Sequence, residues 1–152
     1  RNQVYRPGTH PLGQRYLYGS PQLMFNISGY ARMLVSDFIA AGGTIQVTQF
    51  DTVEQLATLP QKTLINATGY GARALFADQS VVPVRGQLAR MAPQPDVDYG
   101  LYYHRTAFVP RRDGVVFQVT GDSDYYGYGD DTTTPDRAEA ERAVTTIASL
   151  YA

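Results

Sequence analysis

Apolar and polar positions along the chain change period several times, and each change marks an element. Tyr30, Leu34, Phe38 and Ala41 recur at steps of four, four and three, which places them on one face of an α-helix. Ser28 stands where an N-cap belongs and Gly42 and Gly43 follow the stripe. The pattern predicts a helix over 28–41 closed by a left-handed glycine. Residues 44–50 alternate, with Ile45 and Val47 on one side, and read as a strand. Asp51 and Glu54 have capping-box spacing, which predicts a short helix over 52–59 that Pro60 stops.

Residues 63–87 carry the densest signal. Leu64 and Ile65 form a short apolar run, Gly69 and Gly71 make a turn, residues 72–76 suit a brief helix, and residues 81–91 suit a second strand. A strand that runs into a glycine turn and opens a helix lets backbone approach a phosphate-bearing ligand closely. Beyond it, residues 101–109 and 115–120 read as two strands joined by a turn at Pro110–Gly114, where Asp113-Gly114 is a hairpin signal. A loop rich in Asp, Gly and Tyr covers 121–133. Thr134 as cap and Pro135 at the first helical position then start a last helix. Its apolar stripe is Ala140, Val144, Ile147 and Tyr151. Residues 1–22, with three prolines and three glycines, read as an arm with one short strand at 15–18.

The order of elements predicts an α+β fold, a mixed α/β layering rather than a regular βαβ series. The sheet is expected to be mixed and largely antiparallel, with helices packed on one face. With 152 residues the chain has the length of one domain with a real core.

Composition narrows the chemistry. Net charge is -1, which leaves no electrostatic footprint for nucleic acid. Cysteine is absent, so disulfides, thiolate metal sites and cysteine nucleophiles are excluded. No apolar run approaches the ~18 residues that span a bilayer, and nothing in the chain fixes a compartment. His10 and His104 have no companion at ligand spacing, and no serine sits in a G-x-S-x-G elbow. Asp122, Asp124, Gly127 and Asp130 imitate a calcium loop, but Tyr126 and Thr133 occupy two of its ligand positions. That loop reads as solvated. The 12 tyrosines, several of them clustered, suit a pocket wall or an interface, or an ordinary core and surface equally well.

Gly69-Tyr70-Gly71-Ala72-Arg73-Ala74 formally fits the dinucleotide pattern G-x-G-x-x-G/A. A complete fingerprint also needs a crossover helix and an acidic residue ~20 positions on. Here Asp78 ends the helix early and residues 87–91 hold no acid. The turn therefore reads as a secondary cofactor contact or as a plain strand-to-helix turn.

Four blocks together resemble the C-terminal part of FAD-dependent oxidoreductases of the D-amino acid oxidase (DAO) type. They are Met24-Phe25-Asn26-Ile27 with the helix up to Gly43, Asn66-Ala67-Thr68-Gly69-Tyr70-Gly71-Ala72-Arg73, Pro83-Val84-Arg85-Gly86-Gln87, and Phe108-Val109-Pro110-Arg111-Arg112-Asp113-Gly114. The resemblance implies FAD as cofactor and an amine or amino acid as substrate. It places Thr68, Gly69, Gly71, Arg85, Gly86 and Gln87 against the cofactor, and assigns 63–77 to the FAD domain as a strand, turn and helix. Tyr103 stands where related oxidases place a tyrosine over the flavin. Strand alternation would put Arg105 on the same face, suited to a carboxylate. The family's glycine pair near the flavin is replaced here by Phe117-Gln118-Val119-Thr120, and its downstream carboxylate-binding arginine has no counterpart. The family's primary dinucleotide motif is expected upstream. The chain is then a fragment whose partner is the N-terminal FAD-binding half, and the exposed strand edge at 63–66 is expected to drive association with that half or between copies.

Overall fold

The computed structural model describes residues 2–152. The chain divides into two compact units, Arg1–Gln3 with Tyr18–Asp78, and Val4–Leu17 with Gln79–Ala152. Strand β1 (Gln3–Tyr5) pairs with β2 (Leu17–Gly19) in a two-stranded ribbon, and two of the three unit boundaries fall within these strands.

The first unit holds three helices, α1 (Ile27–Ala40), α2 (Val53–Leu56) and α3 (Gly71–Leu75). The cap of α1 is Asn26 rather than Ser28: its side-chain oxygen accepts from the Gly29 amide at 3.0 Å. Asparagine is as good an N-cap as serine, and it stands two residues earlier. At the other end the Gly43 amide reaches the Phe38 carbonyl and Gly42 reaches Ile39, both at 2.9 Å. That is a Schellman closure, with Gly42 at a φ of 90°. Around α2 the Gln55 side-chain oxygen accepts from the amides of Asp51 and Thr52, so the box is built on Thr52 and Gln55 and not on Asp51 and Glu54. Residues 44–50 and 64–65 join no strand. Alternation prepared faces for them, but a ladder needs a neighbour and none of the described residues supplies one. Ala72 is the one buried apolar residue in this unit, and α1 buries none.

The second unit carries the core. Strands β3 (Ala89–Met91), β4 (Leu101–Tyr103), β5 (Thr106–Arg111) and β6 (Gly114–Val119) form an antiparallel sheet in the order β3-β6-β5-β4. Helix α4 (Arg137–Ala148) covers one face and continues into a 3-10 turn at Ser149–Tyr151. This is the α+β layering that the pattern of elements predicts. Phe108, Val115 and Phe117 from the sheet meet Ala143 and Ile147 of α4, together with Leu150 and Leu12. Each fully buried side chain of the size of Val, Leu, Ile or Phe stabilises the unit by about 1.5–3 kcal/mol. The helix starts two residues later than Thr134 and Pro135 suggest. Asp136 is its cap, accepting from the Glu139 amide at 3.1 Å. The buried stripe is Ala143, Ile147 and Leu150 rather than Ala140, Val144, Ile147 and Tyr151, a rotation that turns Glu139 inward.

The largest departure lies at residues 101–109, read from sequence as one strand. They form two, with Tyr103 opposite Thr106 across a two-residue turn at His104 and Arg105. Both turn residues have positive φ, 43° and 59°. That is the turn whose twist matches a hairpin. Neither residue is Gly, Asn or Asp, so no local signal announces it. Left-handed backbone at such residues costs about 1–3 kcal/mol each. Two hydrogen bonds to the Arg105 carbonyl offset this, from the Thr120 amide at 2.8 Å and the Thr120 hydroxyl at 3.0 Å. Residues 81–91 likewise shorten to β3, with a single bridge between Val84 and Tyr128 ahead of it.

Candidate functional site

In the first unit the turn before α3 is built by Thr68. Its hydroxyl donates to the Asn66 side chain at 2.8 Å, and its carbonyl accepts from the Gly71 amide at 3.0 Å. Gly69 takes a φ of 56° and a Cβ there would meet nothing within 4 Å. Left-handed backbone and open space at one residue are what close approach by a ligand requires. The amides of Gly71, Ala72 and Arg73 are committed to carbonyls of Thr68, Gly69 and Tyr70. The turn thus offers room for a cofactor more than a ready row of donors.

In the second unit Arg85, Gly86 and Gln87 run beside the start of α4. The Gln87 side chain bonds the Asp136 backbone twice, donating to its carbonyl at 2.7 Å and accepting from its amide at 2.6 Å. Arg85 donates to Gln87 at 3.0 Å and to the Glu139 carboxylate at 3.4 Å, and Asp130 lies 4.0 Å from its Nε. Arg85 and Glu139 are only 17% and 6% exposed, so the pair is largely desolvated. Tyr126 completes the cluster. Burial, then the charge and hydrogen bond of Glu139, push its hydroxyl above the usual phenol value. The loop over 121–133 is laced to the same segment, the Arg85 amide reaching Gly127 at 2.9 Å and the Gly129 amide reaching Pro83 at 2.8 Å. Both long side chains therefore hold α4 and the loop, and Gly86 between them is exposed. Sequence reasoning named Arg85 and Gln87 but missed Glu139 and Asp136, their partners. The signal was present in Glu139, an acid three residues after a capping aspartate.

Tyr103 and Arg105 do not share a strand face. Tyr103 ends β4 half-buried on the α4 side of the sheet, its ring edge-on to His104 with centroids 4.1 Å apart. Arg105 lies in the turn, and its guanidinium meets the Asp122 carboxylate. Tyr102 faces away from Tyr103, as alternation requires, and its hydroxyl meets the Thr120 hydroxyl at 3.1 Å. No hydrogen bond among the described residues links Tyr103 or Arg105 to the block at Arg85–Gln87. Gln14, from the N-terminal arm, donates to the Tyr103 hydroxyl at 3.1 Å. Phe117 lies in the core and packs on Phe108 with ring centroids 5.0 Å apart.

A cleft of about 360 Å³ opens between the far end of α4 and the sheet, lined among others by Met91, Val97, Phe108 and Ile147. The hydroxyls of Tyr99 and Tyr151 meet across its rim at 2.9 Å. Burial and that contact raise Tyr151 to about 12. Neither Tyr103 nor Gly86 lines it.

Comparison with known proteins decides the class. The model of the DAO family, described as FAD dependent oxidoreductase, matches residues 5–152. The chain belongs to this family of FAD-dependent oxidoreductases. Similar curated proteins include the D-amino acid oxidase of Dugesia ryukyuensis, 37% identical over 82 residues, which are 52% of this chain and 24% of that protein. The D-amino-acid oxidase of Streptomyces coelicolor is 30% identical over 84% of this chain and 39% of its own length. That of Rubrobacter xylanophilus is 28% identical over 92% of this chain and 42% of its own. The chain spans about two fifths of the latter two relatives. The oxidoreductase family and its cofactor, FAD, are those the four sequence blocks imply. The turn at Gly69 leaves open space beside its backbone, which is compatible with close approach by such a cofactor. Among the described residues no helix is long and apolar enough to cross a membrane.

Proposed function

We propose that this chain is part of a longer FAD-dependent oxidoreductase that oxidises the C–N bond of an amine or amino acid. Membership of the family over residues 5–152 carries the proposal, and the relatives named D-amino acid oxidase give it its substrate class. The chemistry FAD supplies when bound is acceptance of a hydride from the carbon bearing a neutral amine. The rest falls to positioning and desolvation by the protein. The turn at Thr68, Gly69 and Gly71 admits the cofactor to backbone contact. Arg85 and Gln87 fix the segment that presents Gly86. Tyr103 and Arg105 contact the substrate, the tyrosine by its hydroxyl and the arginine by exchanging Asp122 for a substrate carboxylate.

The test is anaerobic mixing of the FAD-loaded full-length polypeptide with a D-amino acid, its L-enantiomer and a simple primary amine. Loss of the visible flavin absorbance with one of them, followed by ammonia release, is the expected result. Retention of the absorbance with all three overturns the proposal.

A second reading concerns the chain alone: it holds no FAD by itself and acts as a non-catalytic module until its other half is present. The exposed apolar face of α1 favours it, since a unit without a core is a poor platform for a cofactor. Incubation of this chain with FAD and removal of the excess distinguishes the two. A colourless product supports the second reading, and a protein that stays yellow refutes it.

A further inference from the structure

We infer that Gln14 is a positioning residue for Tyr103, and that it sets the polarity of the tyrosine hydroxyl so that this group meets a hydrogen-bond acceptor on the substrate. The inference rests on the reading of Tyr103 as a substrate contact given above.

Gln14 lies on an arm that is fixed independently of the site. Leu12 is buried in the core at 7% exposure, and the Gly13 amide donates to the Leu150 carbonyl at 2.7 Å. The next residue therefore has a defined place, and its amide nitrogen reaches the Tyr103 hydroxyl oxygen at 3.1 Å, 89 positions away in sequence. The opposite constraint comes from His104, whose ring packs edge-on against the Tyr103 ring. Held at the ring and at the oxygen, the side chain loses little further freedom when a ligand binds.

The direction of the bond matters more than its presence. A phenol has one proton to give and lone pairs to accept with. Gln14 donates, so the oxygen is engaged as an acceptor and the phenolic proton is left to point at the ligand. The substrate group that complements it is a carboxylate or carbonyl oxygen, not an ammonium or amide N–H. A mispaired donor at such a place costs more than the good pair contributes, so the polarity acts mainly as a filter.

The test compares Gln14→Met, Gln14→Glu, Tyr103→Phe and the Gln14→Met/Tyr103→Phe pair in the FAD-loaded full-length polypeptide. Readouts are KM and kcat, with calorimetric affinity for isobutyrate and isobutyramide as probes independent of turnover. Gln14→Met, close in size but with no donor, is expected to raise KM about tenfold with kcat within about twofold, as loss of one oriented hydrogen bond implies. Its effect should vanish in the Tyr103→Phe background. Gln14→Glu keeps the shape but can only accept, so it reverses the hydroxyl and should shift the preference of the probes from isobutyrate toward isobutyramide. A raised KM in Tyr103→Phe with an unchanged KM in Gln14→Met overturns the positioning role alone. So does an equal effect of Gln14→Met with and without the Tyr103 hydroxyl. An unchanged KM in Tyr103→Phe overturns the reading of Tyr103 itself.

Discussion

Gly127 shows how one residue fixes the 121–133 loop. Its φ is 80°, and a Cβ there would overlap the carbonyl oxygen of Arg85, in the segment that the loop is laced to. Replacement by alanine combines left-handed strain with a clash against backbone that cannot yield. Gly127→Ala is expected to cost at least about 2 kcal/mol, read as a lowered urea midpoint at unchanged slope. Asp130, in the same loop, gives a pH dependence. Hydrogen bonds from the Thr132 side chain and amide, then the charge of Arg85, hold its carboxyl below the ordinary 3.8. A depressed folded value means the charged form favours folding. The contribution is complete above the ordinary aspartate range and is lost as pH falls through the lowered value. The difference in stability between wild type and Asp130→Asn should therefore be constant near neutrality and close below pH 3.8. A difference that does not change down to the acid transition would contradict the assignment.

Arg85 and Glu139 join two elements, and their pairing gives the start of α4 its place. Removing one member leaves the other charge buried without compensation, which costs about 3–5 kcal/mol, whereas replacing both with apolar residues can be close to neutral. Arg85→Met is expected to show the large loss and Arg85→Met/Glu139→Leu to recover most of it, measured by denaturant unfolding without added FAD. If Arg85 served the cofactor only, the single substitution would leave that unfolding curve in place.

The same elements show what sequence can and cannot announce. Both long helices were readable because apolar periods are local, although the cap of each lies two residues from the expected one. Their exact faces were not, since the choice between Ala140 and Ala143 as the inward residue depends on what Phe108 and Phe117 present across the sheet. The turn at His104 and Arg105 was unreadable because its compensation comes from Thr120, on another strand. That turn carries Arg105 off the strand that ends at Tyr103, so the shared face expected from alternation is replaced by two neighbouring places. Residues 44–50 and 64–65 illustrate the converse. Their patterns are those of strands, but pairing is a property of the neighbour.

Many large apolar side chains of the first unit are exposed. Leu34, Phe38 and Ile39 of α1 are each close to half exposed, and Ile45, Val47 and Ile65 are 61%, 99% and 89% exposed. Apolar patches of this extent on soluble proteins mark surfaces that pack against something. The Streptomyces and Rubrobacter relatives are more than twice as long as this chain, and we propose that a further segment of that kind is what covers this face. Without it, copies of this chain are expected to cover one another. Light scattering should show a mass that rises with concentration, and Phe38→Glu with Val47→Lys should return it to 16.8 kDa. The two substitutions lie outside the core of the second unit, so its unfolding transition should be unchanged and loss of fold can be told from loss of contact. Co-expression with the complementary N-terminal half should suppress the association of the unmutated chain, because the same residues would then be occupied. A monomer at every concentration would contradict the reading of this face as an interface, and a mass that rises equally in the substituted chain would place the contact elsewhere.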